Sequence, residues 1–176
     1  ENKLDQRIYD ACVNTLKLCM MEHYVDTPWR EQCLYAYDSR NQILCGYYAF
    51  EDGNIEYAKA NLKLIGQDRR DDGLLSICSP CGADLTIPSF SLYYFMALRE
   101  YLSFTGDKSL IIDLYPKILK ILQVFIDKIK DGLVYKFDKV CHWNFYDWTD
   151  YLSSEPYTKE ESIPDAMINI LFIIAL

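Results

Sequence analysis

The chain has 176 residues, about half of them hydrophobic, and a formal net charge of -8. That length is one domain or part of one, with enough apolar material for a sizeable core. An acidic balance repels phosphate backbones and no polybasic stretch offers a hold on an anionic membrane surface, so nucleic acid and membrane are both set aside as partners.

In chain order, residues 4–19 place Leu4, Ile8, Ala11, Thr15 and Leu18 at steps of four and three, the spacing of one helix face. A second helix is expected over 39–50 and a third over 55–65, separated by the Asp52-Gly53 breaker. Pro88 suits the first turn of a fourth helix, which runs through Leu92, Phe95, Met96, Leu98 and Leu102 to a stop at Thr105-Gly106. A fifth carries Ile111, Leu114, Ile118, Ile121, Leu122, Phe125 and Ile129, with Pro116 expected near its start. Residues 166–176 read as a core helix, and the apolar run at 168–176 is too short to span a bilayer.

Two corners resemble each other. Asp72-Gly73-Leu74-Leu75 and Asp131-Gly132-Leu133-Val134 lie fifty-nine residues apart, and the same offset pairs Leu62 with Ile121 and Ile65 with Val124. Each corner is expected to end a helix with a left-handed glycine and lead into a short extended piece. A weak repeat of this size points to stacked helical hairpins, arranged as an open solenoid or a closed toroid. The long aromatic loops and the poor repeat favour the toroid. The fold class is therefore all-α: helical hairpins forming about half of an (α/α)6 toroid barrel, with short extended segments between helices. The chain starts without a Met, a charged leader or a cleavage pattern, and residues 1–176 are expected to be a partial catalytic domain truncated at both ends.

Seven cysteines, an odd number at irregular spacings, fit reduced thiols and a reducing, cytoplasmic compartment better than a disulfide framework. Cys78-Ser79-Pro80-Cys81 has the spacing of a metal or redox pair, but no second pair or suitably spaced His accompanies it, so it reads as structural. No metal and no cofactor is implied, and neither a phosphate-cradling Gly-rich loop nor a nucleophile elbow is present.

Chemistry concentrates in Asp26-Thr27-Pro28-Trp29-Arg30-Glu31-Gln32 and the following Tyr35-Ala36-Tyr37-Asp38. Fifteen Tyr, eight Phe and three Trp beside these carboxylates suit a carbohydrate site, since rings stack on sugar faces and carboxylates bind hydroxyls. The competing account is a helix start, with Thr27 as cap, Pro28 in the first turn and Glu31 against the macrodipole. That account leaves Trp29, Arg30 and Asp38 unexplained.

The stretch resembles the signature of glycoside hydrolase family 78, the α-L-rhamnosidases, which are (α/α)6 toroids: Asp, commonly Cys, Pro, a variable residue, Arg, Glu, and a later acidic residue. Asp26, Arg30, Glu31 and Asp38 fall on its functional positions, while Thr27 replaces the common Cys and Tyr37 a small residue. Ile87-Pro88-Ser89-Phe90-Ser91-Leu92, Thr105-Gly106-Asp107 and Tyr115-Pro116 look like successive landmarks of the same barrel. His142-Trp143-Asn144-Phe145-Tyr146-Asp147-Trp148 resembles the family's aromatic wall. Alternation in an extended segment would put Trp143, Phe145 and Asp147 on one side.

The resemblance implies an inverting glycosidase that releases terminal α-L-rhamnose from oligosaccharides or glycosides. Glu31 would be the general acid, and Asp26, Arg30, Asp38, Trp143, Asp147 and Trp148 would bind the sugar. Inversion needs a second carboxylate across a water-sized gap of roughly 6.5–9.5 Å. In the family that base is a Glu late in the barrel, with no equivalent before Leu176, so the remainder of the protein's own chain is an expected partner. A Glu acid needs a pKa near roughly 6. Trp29 would desolvate Glu31 and Asp26 would disfavour a second charge, while Arg30 opposes both unless it turns to substrate or to Asp38. The rivals are another (α/α)6 glycosidase with a different sugar, a non-catalytic rhamnose-binding relative, and a helical-repeat scaffold.

Overall fold

A computed structural model describes residues 2–68 and 70–176. Among these residues six helices form: α1 (Lys3–Leu18), α2 (Ala36–Ala49), α3 (Ile55–Gly66), α4 (Pro88–Thr105), α5 (Ser109–Ile126) and α6 (Ala166–Ala175). The only strands among the described residues are the two-residue pair β1 (Ile129–Lys130) and β2 (Leu133–Val134), so the protein is all-α. Among the described residues no helix is long and apolar enough to cross a membrane.

The helices form two layers. In the inner one α2 packs on α4 and α4 on α6; in the outer one α3 packs on α5, and both rest on α4. The sequence of α4 suits that central place. Leu92, Tyr94, Met96, Ala97, Leu98 and Tyr101 are buried along it, on more than one side, as a helix covered by neighbours all round requires. Its end is an αL cap: Gly106 N–H donates to Leu102 O at 2.8 Å. The outer helix α5 is one-sided by contrast. Leu110, Leu114, Ile121 and Phe125 face the core, while Ile112, Tyr115 and Leu119 face out.

The structure corrects several expectations. The face read on the first helix is exposed, with Leu4 at 58% and Ile8 at 54%; α1 instead leans on α2 through Leu16, with Cys19 buried just beyond its end. Periodicity identifies an amphipathic helix but not which partner covers it. Pro116 lies in the middle of α5, because Asp107 Oδ1 accepts from Ser109 N (2.8 Å) and starts the helix earlier than its apolar pattern does. The carbonyl that Pro116 leaves unpaired belongs to Ile112 on the exposed face, where water can bond it.

Both Asp-Gly corners have left-handed glycines, Gly73 at φ +88 and Gly132 at φ +79, yet neither caps a helix. Gly132 follows Asp131 (φ +50) in the two-residue turn of the β1–β2 hairpin, the conformation that Asp-Gly favours there. Gly73 sits seven residues beyond the end of α3, where a Cβ would press on Val124 of α5.

Candidate active site

Residues 26–33 close on themselves before α2 begins. Asp26 N donates to Cys33 O (3.0 Å), and Cys33 N donates to Asp26 Oδ1 (2.8 Å). Inside this loop Pro28, Trp29, Arg30 and Glu31 make one turn, and Thr27 Oγ1 caps it by accepting from Arg30 N at 3.4 Å. The capping chemistry expected of a helix start is thus present, but Gln32 at φ +51 stops the helix after one turn. The helix proper starts at Ala36, which places Asp38 in its first turn, near the positive end of the macrodipole.

From the other side of the sequence, residues 142–145 run extended and then bend. Asn144 turns inward, its side chain exchanging hydrogen bonds with Phe137 N and Phe137 O, so Trp143 and Phe145 face the opposite way. The alternation ends there: Tyr146 and Trp148 join Trp143, Phe145 and Asp147 around the same cavity. Trp143 donates from Nε1 to Ser154 O at 2.7 Å. Its ring lies 4.9 Å from Phe145 and 5.8 Å from Trp148, so the three form a continuous aromatic wall.

The two loops meet over the N-terminal ends of α2 and α4 in a cavity of about 540 Å³. Asp26, Arg30, Glu31, Asp38, Trp143, Asp147 and Trp148, all seven positions singled out in the sequence, line it. Tyr35, Ile87, Phe90 and Tyr146 line it too and were not singled out as site residues. Their signal in the sequence is position, since Tyr35, Ile87 and Phe90 all stand at the first turn of an inner helix. Tyr37 is a further lining residue, its ring 4.3 Å from Tyr93 and 5.9 Å from Phe90. It thickens the wall on the α2–α4 side.

The carboxylates differ. Burial, opposed by a backbone hydrogen bond and helped by the charge of Asp26, pushes Asp38 up to about 6. Glu31 is exposed, and its pKa lies below the ordinary value, chiefly through a hydrogen bond from its own backbone amide, with Arg30 and Thr27 adding to it. Thr27 Oγ1 donates to Glu31 Oε2 at 3.3 Å and Arg30 Nε stands 3.9 Å from the same oxygen. The desolvation expected from Trp29 is not supplied: that side chain points to solvent at 87% exposure. Asp147 is likewise exposed, accepting from Trp148 N at 2.7 Å, so it carries no burial cost.

The sequence of residues 1–175 matches the family model described as the bacterial α-L-rhamnosidase six-hairpin glycosidase domain. The chain belongs to this α-L-rhamnosidase family. Among solved structures it is similar to a GH78 family rhamnosidase of Bacillus sp. GL1, at 27% identity and a TM-score of 0.81 over 95% of this chain. That match spans 16% of the length of the Bacillus protein. No curated protein matches the chain. A six-hairpin glycosidase domain is a hydrolase scaffold, and the all-α hairpins agree with it.

Elsewhere, ligand atoms of Asp72, Cys141 and His142 lie within 4.8 Å of one another. Asp72 is already engaged by Arg70 Nε (3.1 Å), Arg70 Nη2 (2.7 Å) and Leu74 N (3.1 Å). A cation there would sit against the Arg70 guanidinium. Cys78 and Cys81 are both free thiols, half-buried.

Proposed function

We propose that this chain forms the acid-bearing side of an inverting glycosidase site that releases terminal α-L-rhamnose from glycosides. The observation that carries the reading is the convergence of the seven residues, from two segments more than a hundred positions apart, into one cavity of about 540 Å³, a size in the usual range for ligand sites. Glu31 is the general acid. Asp26, Arg30, Asp38 and Asp147 hold sugar hydroxyls, and Trp143 and Trp148 offer ring faces to the sugar's C–H surface. The general base lies outside residues 1–176, in the rest of the six-hairpin domain.

An exposed Glu31 with a lowered pKa is ionised at neutral pH, so donation depends on bound substrate. A sugar seated against the wall displaces water from Glu31 and draws Arg30 onto its hydroxyls. Both changes favour the protonated acid. A second reading comes from Asp38, a cavity carboxyl pushed up to about 6 by burial, and a raised pKa is the property a donor needs.

One pair of variants separates them in the full-length enzyme. Glu31→Gln is expected to lower kcat about 10²–10⁴-fold on a rhamnoside with a poor leaving group, and far less on an activated aryl rhamnoside that departs without a proton. Asp38→Asn is expected to lose activity equally on both substrates. If the leaving-group dependence appears in Asp38→Asn instead, the roles are reversed. Activity on aryl glycosides of another sugar in preference to rhamnose would shift the specificity.

A further inference from the structure

Trp143 is only half-buried, yet the backbone leading into it is held by Thr86 on either side of His142. Thr86 N donates to Cys141 O (2.9 Å), and Trp143 N donates to Thr86 O (2.8 Å), so Thr86 and His142 pair as a short parallel bridge. Thr86 is itself buried and donates from Oγ1 to Leu75 O at 2.5 Å. Between the two clamping bonds sits His142, 4% exposed, with its ring edge-on to Phe137 at 5.2 Å and Nε2 facing Asp72 Oδ2 at 3.4 Å. Asp72 belongs to the corner seated on α5, where Gly73 meets Val124 and Lys120. Arg70 bridges Asp72 to Asp84 (Nη1 to Oδ1, 2.9 Å), tying the corner to the segment that leads into Thr86. A chain of contacts thus runs from α5 through Gly73, Asp72 and His142 to the backbone of Trp143.

We propose that Asp72 and His142 are positioning residues for the candidate sugar site: by holding the His142 ring, the half-buried carboxylate fixes the height and tilt at which Trp143 presents its indole to the cavity. Neither residue lines that cavity. The physical reason is that an aromatic platform is effective only when held still, since a ring that must be ordered on binding loses affinity to that ordering. The Asp72 carboxylate, held well below the usual range despite its burial by bonds from His142 and Arg70, remains a full charge for the imidazole to face. Among the described residues His142 Nδ1 has no hydrogen-bond partner. The contact with Asp72 needs an N–H on Nε2, since a carboxylate can only accept.

This inference rests on the reading of Trp143 as a sugar platform, and the test keeps the two apart. The variants are His142→Gln, whose amide N–H can reach Asp72 as Nε2 does, His142→Leu, which fills space without a donor, and Trp143→Ala, all in the full-length chain. In His142→Leu, KM for an aryl rhamnoside should rise about tenfold with kcat within about twofold, the pattern of lost uniform binding. Backbone amides of peptides covering 140–148 should exchange with deuterium faster. His142→Gln should restore both towards wild type. The proposal is overturned if His142→Leu keeps wild-type KM and exchange, or if His142→Gln behaves like His142→Leu, which would make the residue packing alone. If Trp143→Ala leaves KM unchanged while His142→Leu still loosens 140–148, the platform reading fails and the positioning of the backbone stands.

Discussion

Asp38 is a cavity carboxylate whose ionisation the fold shifts upward. Its pKa rises from 3.8 to about 6, first because it is buried and then because Asp26 is near. Between those two values the folded chain binds a proton that the unfolded chain has released, so stability falls as pH rises through this window and stays lowered above it. Asp38→Asn, which resembles the protonated form at every pH, should therefore raise the thermal midpoint at pH 8 and give no gain near pH 4. Thermal unfolding of both proteins across that range checks it; a gain that is constant with pH would mean that Asp38 is not strained by its charge. The sequence made the identity of Asp38 readable, because motif spacing survives in any fold. It did not make the environment readable. Burial of Asp38 and exposure of Trp29 and Glu31 depend on where the 26–33 loop lies, and that is set by the pairing of Asp26 with Cys33 and by the stop at Gln32.

At the level of elements, α3, α4 and α5 are held by a contact that no pattern announces. Gly66 ends α3, and a Cβ there would collide with the side chains of Leu114 on α5 and Tyr94 on α4. Tyr94 is buried and donates to Leu62 O at 2.7 Å, so it cannot swing aside without leaving that bond. Gly66→Ala should destabilise the chain by about 1–3 kcal/mol through overpacking, whereas Gly82→Ala, with open space around it, should change stability by no more than about 0.5 kcal/mol. Denaturant titrations with equal slopes measure the difference; equal midpoints for the two variants would show that α3 shifts freely. The same contrast explains which helices were legible. Those with strong stop signals, such as α4 between Pro88 and Gly106, have the boundaries that the residues imply. The corner glycines did not, because an Asp-Gly pair requires a positive φ but fits a hairpin turn as well as a helix end. In α1 the periodic face points away from α2, since spacing records that a face is apolar and not what lies against it.

For the whole molecule, the layering suggests how this chain fits a six-hairpin domain. The inner row α2–α4–α6, the outer pair α3–α5 and α1 leaning on α2 are six helices among the described residues, half the twelve that six hairpins contain. We infer that residues 1–176 form one half of a closed ring. The apolar groups left facing out are where such a ring would continue: Leu4, Ile8 and Tyr9 on α1, and Ile170, Ile173 and Ile174 on α6. Contiguous apolar faces of this kind favour association in water. Residues 1–176 produced alone should therefore sediment as oligomers or aggregates, and the longer chain should not. The fragment should also lack turnover, because water would attack without the base, whose assistance is typically worth about 10²–10⁴-fold. Sedimentation of both chains, with an aryl rhamnoside assay at equal concentration, tests the two expectations together. A monodisperse fragment turning over at a rate near that of the longer chain would place the base within residues 1–176. Asp147, already in the cavity, and Glu155 would then be the first carboxylates to replace, and the half-ring reading would fall.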